Sequence, residues 1–242
     1  MATIGFLPYE NRESYADTLR GFIEGGVLGF YVPGTNTMYI VENFGTAADL
    51  DEVLIHEMTH ALQDQYFDLT SYTDVATLDE MAARTYIIEG EATFIGQSYL
   101  MAEMAEISFE ELSVSTMAKM YRNTTISQLR EQLWMFGMLE PEYLSLPQTH
   151  PYIQGVYIIF STWDAYGWER IDRFYTDPPL STEQMIHAQY QLFQPDTPST
   201  FTTTIIETGD PGDVLLDFGQ LGELYTTVLF STNDDSLFES IG

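Results

Sequence analysis

The sequence contains no cysteine and few basic residues. Its 242 residues include eight Lys or Arg against 37 Asp or Glu, and the formal charge is −29 at neutral pH. Lys119 is the single lysine. Without cysteine there is no disulfide framework, no thiolate metal site and no cysteine nucleophile. Any metal ion must therefore be bound by histidine and carboxylate side chains.

The negative charge and the lack of long apolar runs also exclude classes of partner. A surface of this charge repels phosphate backbones and anionic lipids, so we predict no nucleic-acid partner. No run is apolar enough to cross a bilayer, which predicts no membrane insertion. Residues 1–12, MATIGFLPYENR, lack the basic and apolar regions of a signal peptide. We expect a mature extracellular or cell-envelope protein that has lost its signal peptide, or otherwise a cytoplasmic one.

The apolar content of 45% predicts a sizeable core in a single domain over residues 1–242. Within it, residues 1–106 are predicted to hold a hairpin and two metal-binding helices. Residues 107–242 are predicted to form a helical second lobe that completes a cleft. The predicted fold class is α+β and mostly helical.

The predicted elements of the first part follow from local patterns. The runs VLGFYVP and MYIVENF flank the turn GTNT and predict a β-hairpin. Helical periodicity then predicts one helix over residues 49–66 and a second over residues 78–106.

Two histidines in the first predicted helix form the motif HEMTH at residues 56–60. A helix advances about 100° per residue, so His56 and His60 lie about 40° apart on one face, where both imidazoles can reach one metal ion. Glu57 lies beside them, too far round to be a third ligand but near enough to take a proton from an activated water. The motif therefore favours a zinc hydrolase. The alternative interpretation is that the two histidines face solvent or the core and bind no metal.

A catalytic zinc ion usually has three protein ligands and one open position. Glu89 and Glu91, in the run IIEGEA, lie about 200° apart around the second helix, so only one can face the metal. Glu89 shares its side with small residues that allow close helix approach, namely Ala82, Thr85 and Thr93. We favour Glu89 as the ligand, with Glu91 as the alternative or as a supporting carboxylate.

These motifs resemble the gluzincin clan of zinc peptidases, the thermolysin-like and aminopeptidase-like enzymes. HEMTHALQD is similar to their active-site helix, and Glu89-Gly90-Glu91-Ala92 is similar to the ligand helix of the aminopeptidase branch. The nearest likeness is to compact bacterial and archaeal gluzincin-like proteins that combine GFY, HExTHALQDQ, EGxA and PPxSTEQxxH, here within residues 27–190.

The resemblance implies a zincin-like fold and one Zn²⁺ bound by His56, His60 and Glu89. It implies that Glu57 is the general base and acid in the cleavage of a peptide or protein substrate. It also implies that the strand MYIVE is the cleft edge against which an extended peptide pairs.

The developing oxyanion also needs a donor beyond the metal. His187, which ends the PPxSTEQxxH pattern, is our predicted donor, and a hydrogen bond within its own lobe is the alternative interpretation. His150 precedes Pro151 in a predicted loop. Three tyrosines are further alternatives: Tyr152, Tyr157 and Tyr190.

Two charged side chains have less specific predictions. Asp64, one turn beyond His60, is either an acceptor that orients that imidazole or an exposed helix carboxylate. Arg84 is predicted to pair with a buried acid rather than with substrate.

Two other classes of function are compatible with the sequence. One is a catalytically inactive zincin-fold binding or scaffolding protein, and the intact Glu57 argues against it because a structural zinc site does not need a base. The other is an ion-binding or surface-layer module, which rests on charge alone and has no calcium-type loop of spaced carboxylates.

Overall fold

The computed structural model describes residues 28–41, 47–108, 111–112, 142–187, 222–224 and 226, except for the side chains of residues 47–49 and 142–147. Within these ranges the longer elements are β1 (Gly29–Val32), β2 (Thr37–Ile40), α1 (Ala47–Phe67), α2 (Leu69–Thr73), α3 (Leu78–Ala105), α4 (Glu142–Tyr166), α5 (Trp168–Thr176) and α6 (Thr182–Ile186). The predicted class, α+β and mostly helical with a short sheet before the first long helix, is confirmed.

Some predicted features lie outside the described residues. These are Tyr190 and three segments with local signals in the sequence: the polar, helix-like stretch ENRESYADTLRGFIE at 10–24, the helix-like run QLREQLWMFGML at 128–139 and the turn-rich stretch FQPDTPST at 193–200. The structure describes no helix that is long and apolar enough to cross a membrane.

The predicted hairpin is present as β1 and β2, paired antiparallel. Phe30 pairs with Tyr39 across the strands, and their rings stack with centroids 4.8 Å apart. Gly34 and Asn36 in the turn have positive φ, a conformation that glycine and asparagine adopt most readily.

The helices α1 and α3 agree closely with the two predicted helices. Thr77 caps the start of α3, because its side chain accepts a hydrogen bond from the Glu80 backbone N–H. Gly90 and Gly96 lie within α3 without ending it. Glu106, with φ of 55°, terminates the helix in the left-handed conformation.

The helices α3 and α4 approach each other closely where they cross at Gly90 and Gly155. A Cβ added to Gly90 would overlap the backbone of Gly155, and one added to Gly155 would overlap the carbonyl oxygen of Tyr86. Two glycines at this crossing therefore let the helix backbones touch.

The loop predicted around His150 is wrong, because His150 and Pro151 lie inside α4. Proline removes one backbone donor from a helix and disfavours a helical residue before it, which is why the sequence favoured a loop. Here both residues are buried against α3, and His150 Nδ1 hydrogen-bonds to the Tyr86 hydroxyl. The burial of this segment therefore outweighs the preference of the His150-Pro151 pair for a non-helical backbone.

A single apolar cluster joins α3 to the helices that follow it. Its fully buried members include Tyr86, Ile87 and Phe94 from α3, Ile158 and Ile159 from α4, Ile171 from α5 and Met185 from α6. This packing determines how α3 is rotated about its axis, and hence which of its carboxylates faces α1.

Ser181 followed by Gln184 is a helix-capping pattern in the sequence, and the cap it predicts is confirmed, because the Ser181 side chain accepts a hydrogen bond from the Gln184 backbone N–H. The start of α6 is anchored to the start of α3 by Asp79, which accepts from both the backbone N–H and the hydroxyl of Thr182.

Candidate metal centre

His56 and His60 lie on one face of α1, as the spacing predicts. Their Nε2 atoms are 3.0 Å apart, and their side chains are 15% and 12% exposed. The two rings stand almost perpendicular, with an interplanar angle of 89°. Both histidines therefore direct their Nε2 atoms towards the same point.

Glu89 of α3, rather than Glu91, lies with the two histidines. Oε2 of Glu89 lies 3.2 Å from His56 Nε2 and 3.4 Å from His60 Nε2. Glu91 is buried on another side of α3, where its carboxylate accepts from Gln63 and from the Tyr175 hydroxyl. His56, His60 and Glu89 form a group that could hold a metal ion.

The spacing of these three atoms suits a small tetrahedral ion. Ligand atoms about 2.0–2.1 Å from a tetrahedral zinc ion stand about 3.3 Å apart. The three distances within the cluster, 3.0, 3.2 and 3.4 Å, bracket that value. One ion can therefore contact all three atoms without a change in the helix packing.

The pKa values of the cluster reflect the contacts between Glu89 and the two histidines. Burial alone raises the pKa of Glu89, but hydrogen bonds from His56 and His60 and their positive charge hold it far below its usual range. Burial lowers the pKa of His60, but hydrogen bonds to Glu89 and Gln63 and the negative charges of Glu89 and Glu57 together raise it overall. An anionic carboxylate thus faces two imidazoles that share it.

Glu57 lies beside the cluster and is buried, with 6% of its surface exposed. Burial is the largest cause that raises the pKa of its carboxyl group; Glu89 also raises it, whereas His60 and His56 lower it. A backbone hydrogen bond from Tyr31 of β1 holds the carboxylate. Its Oε2 has no hydrogen-bond partner among the described residues. One oxygen of this buried carboxylate therefore lacks a partner within the described part of the chain.

The strand that contacts Glu57 is β1, whereas the predicted cleft-edge run MYIVE starts in β2. Gly29 of β1 also lies against Val53 of α1, where an added Cβ would be 2.8 Å from Val53 Cγ1. The hydroxyl of Tyr31 donates to Asp64 on α1 at 2.8 Å. The hairpin is therefore attached to α1 through β1, and peptide pairing along MYIVE stays a prediction.

Tyr152 of α4 is the tyrosine that reaches the cluster. Its ring lies nearly parallel to the His56 ring, with centroids 5.8 Å apart and an interplanar angle of 15°. Its hydroxyl donates to the Glu89 carboxylate. Burial and the negative charges of Glu89 and Glu57 raise its pKa well above 10.0, so the hydroxyl keeps its proton.

The other predicted oxyanion donors have different surroundings. His187 ends α6, and its Nε2 lies 2.9 Å from Glu223 Oε1. His150 is buried in contact with Tyr86, and burial lowers its pKa to about 4. Tyr157 lies on the same helix as Tyr152 and is similarly exposed, at 37% against 41%. The role of His187 stays a prediction, and its ring nitrogen contacts Glu223 rather than a member of the cluster.

The predicted orientation of His60 by Asp64 is wrong. His60 Nδ1 lies 2.9 Å from Gln63 Oε1. Asp64 instead accepts from Tyr31 and from the backbone N–H of Leu69, where it joins α1 to the hairpin and to α2. Asp64 lies four positions after His60, but its carboxylate has two other donors within reach.

Arg84 pairs with Glu80, as predicted for a structural cation, and it also donates to the backbone oxygen of Tyr72. Its guanidinium lies 5.1 Å from the centre of the Tyr72 ring. Glu80 is half-buried rather than fully buried, so the predicted acid is present in a more open position.

Sequence reasoning missed Gln63 and the backbone N–H of Tyr31. Gln63 lies three residues after His60, on the same side of a helix, and this spacing is the local signal that could have identified it. The Tyr31 contact joins residues 26 positions apart in a strand and a helix, and no local pattern signals it.

Comparisons with known proteins give no family for this chain: no family model matches it, and neither does any curated protein or solved structure.

Proposed function

We propose that this protein is a zinc-dependent peptidase with a zincin-like fold. The observation that carries the proposal is the arrangement of four side chains: His56, His60 and Glu89 offer three ligand atoms, and Glu57 lies next to His56 with a buried oxygen that has no hydrogen-bond partner among the described residues. Three protein ligands with a base beside them are typical of catalytic rather than structural zinc.

The ligand chemistry favours zinc over the harder cations. Two imidazoles and one carboxylate suit zinc, whereas calcium and magnesium prefer sets of oxygen ligands. When bound, zinc supplies the Lewis acidity that makes water nucleophilic near neutral pH.

Two residues of the chain would then handle protons and charge. Glu57 takes a proton from the attacking water and passes it to the leaving amine, a role that suits a carboxyl group whose pKa is raised by burial. Tyr152 turns its hydroxyl hydrogen from the Glu89 carboxylate to the oxyanion that develops on the substrate carbonyl. Its place beside His56 and Glu89 supports this assignment.

The test combines metal analysis with cleavage of a mixed peptide library. We expect about one zinc per chain and cleavage that a chelator stops and added zinc restores. Glu57→Gln should retain zinc and lose cleavage, because the amide cannot accept the proton. Asp51→Asn removes an exposed carboxylate of α1 and should leave both properties unchanged.

Each other result has a defined meaning. Failure to bind added zinc contradicts the whole assignment. Zinc binding without cleavage of any peptide favours the alternative of an inactive binding or scaffolding protein. Cleavage that persists in Glu57→Gln refutes the role of Glu57.

A further inference from the structure

Gln63 is a buried amide that joins one histidine of the cluster to α3. Its side chain is 3% exposed. Its Oε1 lies 2.9 Å from His60 Nδ1, and its Nε2 lies 3.1 Å from the backbone oxygen of Ile88 and 2.9 Å from Glu91 Oε2. Both ends of the amide are therefore occupied by protein groups.

These partners allow only one orientation of the amide. The carbonyl oxygen of Ile88 can only accept a hydrogen bond, so the amide nitrogen must face it. Oε1 then faces His60, and this oxygen can only accept. Nδ1 of His60 must therefore carry a proton.

The position of that proton decides which nitrogen can bind a metal. A neutral imidazole with a proton on Nδ1 has its lone pair on Nε2. Nε2 is the atom that lies 3.0 Å from His56 Nε2 and 3.4 Å from Glu89 Oε2. The amide contact thus presents the correct nitrogen to the cluster.

We propose that Gln63 is a positioning residue that holds His60 in the Nδ1–H tautomer and directs its Nε2 at the metal. The proposal rests on the metal-binding role of the cluster proposed above. Hydrogen-bond partners of metal-binding histidines typically contribute about 10- to 100-fold to metal affinity.

The test uses Gln63→Met, which is similar in shape and has neither the acceptor nor the donor. In zinc-loaded wild-type protein, nitrogen NMR of the imidazoles should show His60 with a slowly exchanging proton on Nδ1 and with Nε2 bound to the metal. In Gln63→Met that proton should exchange rapidly. Zinc affinity, measured by competition with a chelating dye, should fall about 10- to 100-fold.

The matched control is Thr59→Val. Thr59 is buried on the same helix and donates to the backbone oxygen of Ile55 rather than to a side chain of the cluster. This variant should keep the wild-type zinc affinity and the wild-type His60 signals. A loss of affinity equal to that of Gln63→Met would assign the effect to helix packing and overturn the proposal.

Two further results would overturn it. One is a folded Gln63→Met with unchanged zinc affinity and unchanged His60 signals. The other, which applies even if Gln63→Met does not fold, is a wild-type spectrum in which His60 binds zinc through Nδ1. A protein that binds zinc as described but cleaves no peptide contradicts the peptidase and leaves the role of Gln63 intact.

Discussion

Tyr152 and His187 are the two candidate residues for stabilisation of the oxyanion. We expect Tyr152→Phe to lower kcat by about 100- to 1000-fold, because it removes one preorganised donor, with zinc content unchanged. Steady-state kinetics with a cleaved peptide and metal analysis of the same sample measure this. His187→Asn, which disrupts a pairing with Glu223, should change kcat little. A large fall in kcat for His187→Asn and little change for Tyr152→Phe would instead assign the stabilisation of the oxyanion to His187.

His150 makes the stability of the protein depend on pH. Burial lowers its folded-state pKa to about 4, below an ordinary value of 6.5, so the unfolded chain binds a proton more readily. Its contribution is complete above pH 6.5 and is lost as the pH falls from 6.5 towards 4. Between pH 7.5 and pH 5 we expect the free energy of unfolding to lose about 2 kcal/mol through this group.

The variant His150→Gln isolates this effect, because glutamine can accept from the Tyr86 hydroxyl but does not titrate between pH 5 and pH 7.5. Urea unfolding of both proteins at the two pH values gives the difference in stability. An equal loss of stability in both proteins would show that His150 is not the group responsible.

At the scale of elements, the crossing of α3 and α4 determines the orientation of Glu89. Gly90 and Gly155 touch at this crossing, so a methyl group on Gly90 would overlap the backbone of Gly155. That backbone belongs to α4 and cannot move without a shift of the helix. We expect Gly90→Ala to cost about 1–3 kcal/mol of stability. It should also weaken zinc binding, because Glu89 is the adjacent residue.

Gly96 provides the matched control on the same helix. A Cβ there would lie 3.5 Å from the Glu52 backbone oxygen, an ordinary contact. Gly96→Ala should therefore stabilise the protein by about 0.5–1 kcal/mol through helix propensity. Urea unfolding and zinc titration of both variants test this, and destabilisation of equal size in both would contradict the specific role of the crossing.

For the whole molecule, zinc should act as a connection between α1 and α3. A ligand at 100 times its Kd stabilises the folded state by about 2.7 kcal/mol, and for a chain of this size this raises Tm by roughly 5–10 °C. Thermal unfolding with zinc and with a chelator measures the shift. His56→Ala, which removes one ligand, should show none of it.

This stabilisation should weaken in acid. Zinc binds unprotonated imidazoles, and Glu89 raises the pKa of His60 in the metal-free protein, so protons compete with the metal. In the metal-free protein, a histidine pKa that is higher in the folded state than in the unfolded state stabilises the fold at low pH. This stabilisation is lost as the pH rises through the folded-state pKa. The zinc-dependent shift in Tm should therefore grow from pH 5.5 to pH 8. A constant shift would argue against binding through the histidines.

The sequence alone determined the features that depend on local spacing. The bounds of α1 and α3, the hairpin and the cap at Ser181 follow from periodicity, turn residues and capping chemistry. The placement of His56 and His60 on one face follows from the pitch of a helix.

Tertiary structure decided what depends on contacts between distant elements. Helix geometry showed that only one of Glu89 and Glu91 could face the histidines, and the packing of α3 on α4 is what presents Glu89 to them. Tyr152 reaches His56 from α4, and Gln63 orients His60 because Ile88 holds the amide. These contacts depend on how whole helices pack, and no local pattern encodes that packing.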